Sequence, residues 1–239
     1  MIALILNSGV GKRMGELTKC HPKGMTVIGP DNMTILKRQL LLLAEAGIEQ
    51  VVMTTGPMCQ EMEEYCKTVA SEMSFSFVHN PLYETTNYIY SMYLAKDHLD
   101  DDILLMHGDL VFEKEVLTEI IRSHRSSVVV RMKDELPEKD FKAELKNSLV
   151  KKIGINVFEN AVALFPLYRL ERGEWRKWMS SIVEFCEKGT TSCYAEDAFN
   201  AISSECEIHA LATDGLFCME IDNPSDLEIA MNYVRREQV

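Results

Sequence analysis

A short apolar run, Ile2-Ala3-Leu4-Ile5-Leu6, opens onto Asn7-Ser8-Gly9-Val10-Gly11-Lys12-Arg13-Met14, and a second cationic stretch, His21-Pro22-Lys23-Gly24-Met25, follows shortly after. Two glycines directly past a buried strand let main-chain N–H groups approach phosphate oxygens, because no Cβ stands in the way. Lys12, Arg13 and Lys23 lie within reach of the same place. Arginine grips phosphate through two parallel bonds, and lysine supplies a compact point charge. The chemistry this combination suits is the handling of a triphosphate. Leu6, Asn7, Gly9, Gly11 and Lys12 are the expected nucleotide contacts, with Arg13 and Lys23 stabilising charge at the reacting phosphates.

Two other phosphate loops fit worse. A P-loop requires G-x-x-x-x-G-K-S/T, but Leu6 stands where its first glycine belongs and Arg13 follows Lys12. A dinucleotide fingerprint requires a glycine where Met14 stands, and an acid after the second strand where Thr54-Thr55-Gly56 is found.

A bound triphosphate concentrates negative charge, which is work for Mg²⁺ held by carboxylates. In parallel sheets ligands gather beyond the carboxyl ends of strands. Ile103-Leu104-Leu105-Met106-His107-Gly108 runs into Asp109, and Phe217-Cys218-Met219 runs into Glu220-Ile221-Asp222. Asp109 is the first expected metal ligand and Asp222 the second. Glu220 points the same way as Asp222 if the strand continues, so it is held in reserve. Against this, Asp after Gly commonly closes a turn, and Asp222 beside Asn223 could serve a helix N-terminus. A charge closing a central buried strand wants a partner, which favours the metal reading. His107 is expected to be a satisfied sheet histidine without a chemical role. A phosphate acceptor is anionic near neutral pH, so positioning and charge stabilisation replace general-base catalysis.

The elements that must position these groups alternate in period. Strands are expected at Ile2–Leu6, Val51–Thr54, Phe75–His79, Ile103–His107 and Ser127–Met132; helices at Met33–Gly47, Gln60–Ser71, Tyr88–His98 and Glu115–Arg122. A turn at Lys146-Asn147-Ser148 suggests a hairpin. Trp175, Trp178, Met179, Ile182, Val183 and Cys186 mark one helix face, with both tryptophans in the core. Cys206–Ala212 and Leu216–Ile221 read as strands, and Asn223 caps a last helix with Pro224 at its first position. The fold expected is α/β: a single-domain, Rossmann-like three-layer α/β/α sandwich over 1–239 with a mostly parallel sheet. Residues 133–205 read as a small inserted acceptor-binding or lid subregion.

Gly9-x-Gly11-x-Arg13-Met14 followed by Thr18-x-x-x-Pro22-Lys23-x-Met25 resembles the signature loop of the nucleotidyltransferases that activate sugar phosphates and phosphocholine. That resemblance implies a glycine loop over base and ribose, Arg13 on the departing β,γ-phosphates and Lys23 near the α-phosphate. It also implies Mg²⁺ on Asp109 and a carboxylate near the chain's end. Asn7-Ser8 replaces the usual Ala-Ala or Ala-Gly. Asn87-Tyr88-Ile89-Tyr90-Ser91, after Asn80-Pro81-Leu82-Tyr83, resembles a stretch of bacterial CTP:phosphocholine cytidylyltransferases and related aminoalkylphosphonate enzymes. A helix starting near Asn87 offers amides, Asn87 and the Ser91 hydroxyl to a phosphate or ribose, while Tyr90 and Tyr93 are expected to pack against the sheet. A choline-like head wants aromatic faces, and a primary amine wants acids; Tyr88, Tyr168, Tyr194, Glu196 and Asp197 are the candidates. Tyr194-Ala195-Glu196-Asp197 resembles a stretch lining the family's acceptor pocket.

The function so implied is Mg²⁺-dependent transfer of CMP from CTP to a small phosphorylated amino-alcohol such as phosphocholine, releasing pyrophosphate. Alternative acceptors are 2-aminoethylphosphonate, another phosphonate, or a sugar 1-phosphate. From a different class, a catalytically inactive nucleotide-binding regulatory protein is the competing possibility. The net charge, 25 − 37 = −12, provides no basic face for nucleic acid or an anionic membrane. Seven cysteines without a C-x-x-C pair suggest a reducing compartment, and Met1 opening onto a strand leaves no room for a signal peptide. A cytoplasmic protein is expected, with a homodimer left open.

Overall fold

A computed structural model describes residues 1–9, 11, 14–15 and 21–237. From the amino terminus come β1 (Ile2–Asn7), β2 (Val27–Gly29), β3 (Met33–Thr34), α1 (Ile35–Glu45), β4 (Gln50–Thr55), α2 (Cys59–Val69), β5 (Ser74–His79) and α3 (Tyr88–Ala95). Then follow β6 (Ile103–His107), β7 (Leu110–Phe112), α4 (Lys114–Arg122), β8 (Ser127–Arg131), β9 (Lys142–Lys146), β10 (Leu149–Gly154) and β11 (Ala161–Leu170). The remainder is α5 (Arg172–Glu187), α6 (Ala195–Ile202), β12 (His209–Ala212), β13 (Cys218–Glu220) and α7 (Pro224–Glu237).

Alternation along β1 explains the layers. Ile2, Leu4 and Leu6 face a core built with α3, α5 and α6, including Trp175 and Trp178. Ala3 and Ile5 face the opposite core, with Leu36, Leu40 and Leu43 of α1 and Val116, Leu117 and Ile120 of α4. A strand apolar on both faces must be covered on both. A third cluster seats α7 through Ala230 and Val234 against Ile28, Ile35, Val111 and Ile221.

The central sheet has the order β5-β4-β1-β6-β11-β8-β12-β10-β9, and β9 also returns to pair with β11. Its pairing is mixed, which corrects the expected mostly parallel sheet. β1, β4, β5 and β6 run parallel, as do β8 and β12, but β11 lies antiparallel between β6 and β8. β11 carries Pro166 in an apolar run, and proline inside a run argues against a central strand. The ladder accommodates it with a register shift between Leu164 and Tyr168, where a missing N–H costs no bond.

Two features differ from expectation. α1 starts at Ile35, because Thr34 is its cap, accepting from the Lys37 N–H at 3.0 Å, and Met33–Thr34 pairs with β2. β13 leaves the main sheet and forms an antiparallel ladder with β7. The β9–β10 hairpin turns at Asn147 and Ser148 (φ 53° and 63°) as expected. No helix among the described residues is long and apolar enough to cross a membrane.

Candidate active site

The carboxyl ends of β1 and β6 lie side by side, with Leu6 opposite His107. Beyond them the chain packs more closely than ordinary side chains permit. The Asn7 side chain lies against Gly24 and Gly108, where an added Cβ would come within 2.7 Å and 2.6 Å of it. Glycine at both positions lets the turn carrying Lys23 close onto the turn carrying Asp109. From the opposite side Gln39 of α1, almost fully buried, donates to the carbonyls of His107 and Leu110 at 2.9 Å and 2.8 Å. Asp222 arrives from the far end of the chain through the β7–β13 ladder, in which Glu220 pairs with Leu110 and the Ile221 N–H donates to the Asp109 carbonyl at 3.0 Å.

These approaches converge on one ammonium. Lys23 Nζ donates to Asp109 Oδ2 at 2.5 Å and to Asp222 Oδ1 at 2.9 Å. Burial disfavours the Lys23 charge, but the two aspartates outweigh it and raise its pKa. Burial likewise opposes the Asp109 charge, yet Lys23 and His107 hold its carboxyl below the usual range. The second Asp109 oxygen, Oδ1, is buried without a hydrogen-bond partner among the described residues. An unpaired buried carboxylate oxygen, beside a carboxylate pair already sharing a cation, is a donor set that fits a hard divalent ion.

Beside this pair, His107 Nδ1 bonds Glu220 Oε1 at 2.9 Å. Burial would lower the His107 pKa, but the Glu220 bond and surrounding acids raise it to about 9. Burial pushes Glu220 up, against the pull of His107. Ligand atoms of His107, Asp109 and Glu220 all lie within 4.8 Å of one another. Glu220 is thus engaged with His107 while Asp222 shares the Asp109 cation, which ranks Asp222 ahead of Glu220 as the partner of Asp109.

A cleft of about 340 Å³ opens over these groups. Leu6, Gly9, Asn87, Tyr88, Tyr194, Glu220, Asp109 and Asp222 of the expected set line it. Asn7 and Gly11 border an adjoining depression with Lys23. Lys12 and Arg13 lie outside the described residues. Ser91 is fully buried and reaches the site indirectly: its hydroxyl bonds Ser8 Oγ at 2.7 Å and accepts from Asn80 at 3.0 Å. Tyr168 is in the core rather than the cleft, stacked edge-on to Trp178, and its hydroxyl donates to Glu196 at 3.1 Å. Glu196, 2% exposed, also accepts the Tyr88 hydroxyl; it therefore anchors Tyr88 instead of facing the cleft. Asp197 caps α6, accepting from the Tyr194 N–H at 3.0 Å. Both border a neighbouring depression that Phe141 and Tyr194 separate from the main cleft. Tyr90 and Tyr93 pack against the core as expected.

His107, expected to be a satisfied sheet histidine, is satisfied by Glu220, and it also lines the cleft. It shares its strand parity with Asp109, so the spacing alone aims it into the same cleft. Phe141 and Asp140 also line the cleft, but no local pattern marks them. Phe141 packs edge-on against Tyr194 (ring centroids 5.0 Å), and Tyr88 lies 5.0 Å from the His107 ring.

Three-layer α/β architecture with a glycine loop, a lysine and two converging aspartates at the strand ends defines a nucleotide-handling enzyme of the transferase type. Residues 3–175 match the MobA-like NTP transferase domain, and the chain belongs to that family. It is similar to the CMP-5'-(3-aminopropyl)phosphonate synthase of Streptomyces rubellomurinus, 34% identical over 53% of this chain and 20% of the relative. It is also similar to the CTP:phosphoglutamine cytidylyltransferase of Campylobacter jejuni, 24% identical over 96% of this chain and 98% of the relative. The structure of a CTP:phosphocholine cytidylyltransferase from Streptococcus pneumoniae superposes with a TM-score of 0.78 at 20% identity, covering 98% of this chain and 99% of the other. The chain thus spans only a fifth of the length of the first of these relatives but nearly all of the second.

Proposed function

We propose that this nucleotidyltransferase moves CMP from CTP onto a small phosphate or phosphonate bearing a cationic head, releasing pyrophosphate. The observation that carries the proposal is the shared grip of Asp109 and Asp222 on the Lys23 ammonium, at the floor of a cleft walled by aromatic and acidic side chains. Asp109 and Asp222 are the residues that would hold Mg²⁺, which when bound neutralises charge at the α-phosphate and on pyrophosphate. Lys23, exchanging its carboxylate partners for phosphate oxygens, binds beside the α-phosphorus. Main-chain groups at Gly9 and Gly11 border the same space and orient the nucleotide. The acceptor oxygen attacks the α-phosphorus in line, the new P–O bond forms, and pyrophosphate leaves with the electron pair of the bond it breaks.

Tyr88, Phe141 and Tyr194 bring aromatic rings, and Asp140 and Glu220 bring carboxyl groups, to the wall of the cleft. Such a wall favours a quaternary or primary ammonium over a neutral sugar. The names of the relatives, which pair cytidine nucleotides with phosphonate, phosphoglutamine and phosphocholine acceptors, support the same reading. A reducing cytoplasmic setting is part of the proposal, resting on seven scattered cysteines without a C-x-x-C pair.

The test is a pyrophosphate-release screen with Mg²⁺, four NTPs, and phosphocholine, phosphoethanolamine, 2-aminoethylphosphonate or sugar 1-phosphates. CTP with an amine-bearing acceptor should give the highest kcat/KM. Faster turnover of UTP or GTP with a sugar 1-phosphate refutes the acceptor class. CTP binding without any release favours the regulatory alternative.

A further inference from the structure

Among the described lysines, Lys142 alone is fully buried, and nothing in the chemistry above employs it. It opens β9, where it pairs with Gly154 of β10 and Ala163 of β11, so its stem is fixed by ladders on two sides. Its ammonium donates to the main-chain carbonyls of Pro137 (2.5 Å) and Asp140 (3.0 Å). The Phe158 ring covers it, with its centroid 4.7 Å from Nζ.

The two carbonyl acceptors belong to an irregular segment, 132–141, that has no helix or strand of its own. That segment contributes Asp140 and Phe141 to the cleft. The ring belongs to the turn after β10, which contributes Ile155 to the same cleft. One buried cation therefore ties together two segments of the cleft wall.

The energetics favour the closed segment. Lifting 137–140 would break both bonds from the Lys142 ammonium and leave the carbonyls and the cation to take water in each other's place. Bonds from a charged donor contribute more than neutral ones even after that exchange. The cation thus holds the segment more firmly than an apolar side chain of equal volume would.

We propose that Lys142 is a positioning residue that clamps the 137–141 segment and the turn carrying Phe158 into the acceptor wall. The proposal rests on the acceptor-transfer reading above for its kinetic consequence, but not for its structural one. Lys142→Met keeps the volume and removes the charge, trading two charge-assisted bonds for relief from burying an ammonium. The expected result is a thermal midpoint close to that of the wild type, with KM for phosphocholine or 2-aminoethylphosphonate raised about tenfold. KM for CTP and kcat should stay within about twofold, since Lys142 itself bonds neither Lys23 nor any described residue of the glycine loop. In ligand-free protein, Glu-C protease should cut after Glu135 and Glu138 about tenfold faster, reporting the opened population.

Phe158→Ala is the second variant. Phe158 is 59% exposed, so its loss spares the core, and it should move the same two readouts in the same direction by a smaller factor. Unchanged acceptor KM and unchanged cleavage in a Lys142→Met protein that melts like the wild type overturn the proposal. Should Lys142→Met fail to fold, the Phe158→Ala readouts decide. Should no acceptor turn over, the transfer reading fails, and protease cleavage alone judges the clamp.

Discussion

Replacing Lys23 by Met removes the ammonium that Asp109 and Asp222 share while keeping most of the side chain's bulk. The three side chains are only 12–20% exposed, so in metal-free protein the variant loses the ammonium that both carboxylates share. Removing one partner of a buried ion pair costs about 3–5 kcal/mol. With residual solvent access at all three groups, about 2–3 kcal/mol is expected here. The same geometry makes Lys23 a competitor of any divalent ion for these carboxylates. Charge-assisted bonds contribute about 1.5–3 kcal/mol each, and the displaced ammonium recovers part of that from water. Relieving the competition should therefore tighten Mn²⁺ binding without nucleotide by about 10–100-fold. Turnover should move the opposite way and fall by at least about 100-fold, as for loss of one electrostatic stabiliser. Mn²⁺ titration by electron paramagnetic resonance, with thermal melts in EDTA and in Mn²⁺, separates these effects. A variant that binds Mn²⁺ no better than the wild type, or that Mn²⁺ fails to restabilise, refutes the argument that the lysine occupies the cation position.

Asp109→Ala should cut turnover by at least about 100-fold and weaken Mn²⁺ binding, measured by pyrophosphate release and titration; near-normal rates would remove Asp109 from the site. Gln39→Leu leaves the His107 and Leu110 carbonyls unpaired, and a loss of about 1–3 kcal/mol in urea unfolding is expected, with reduced kcat as the Asp109 turn loosens. His107 supplies a pH signature in EDTA-treated protein. Its folded pKa of about 9 lies above the ordinary value near 6.5, so its stabilising contribution is complete below about 6.5 and disappears as pH rises through about 9, amounting to about 3 kcal/mol at most. Urea unfolding between pH 6 and 10 should show this decline in the wild type and not in His107→Gln; parallel profiles would contradict it.

Chemistry carried by neighbours in sequence was legible from the start. The glycine loop, Lys23 and the acid ending β6 each announce themselves within a few residues, because main-chain approach and a charge closing an apolar run are local properties. Layering was equally readable, since β1 is apolar on both faces. The antiparallel course of β11 was not, because Pro166 masks a strand whose bulge makes the proline harmless. Tyr168 and Glu196 were assigned to the acceptor by residue type, but their positions in the core decide that they hold Tyr88 instead.

Residue types and local spacing by themselves determined that two glycines and a run of cations follow the first strand and that carboxylates end two apolar runs. Only tertiary structure decided that the second of those runs pairs with β7 rather than with the main sheet, which delivers Asp222 to the ammonium already held by Asp109. The physical reason is the range of each interaction. A turn or a strand period is set by adjacent residues, whereas a carboxylate pair more than a hundred positions apart meets only through a ladder whose register the whole packed core selects.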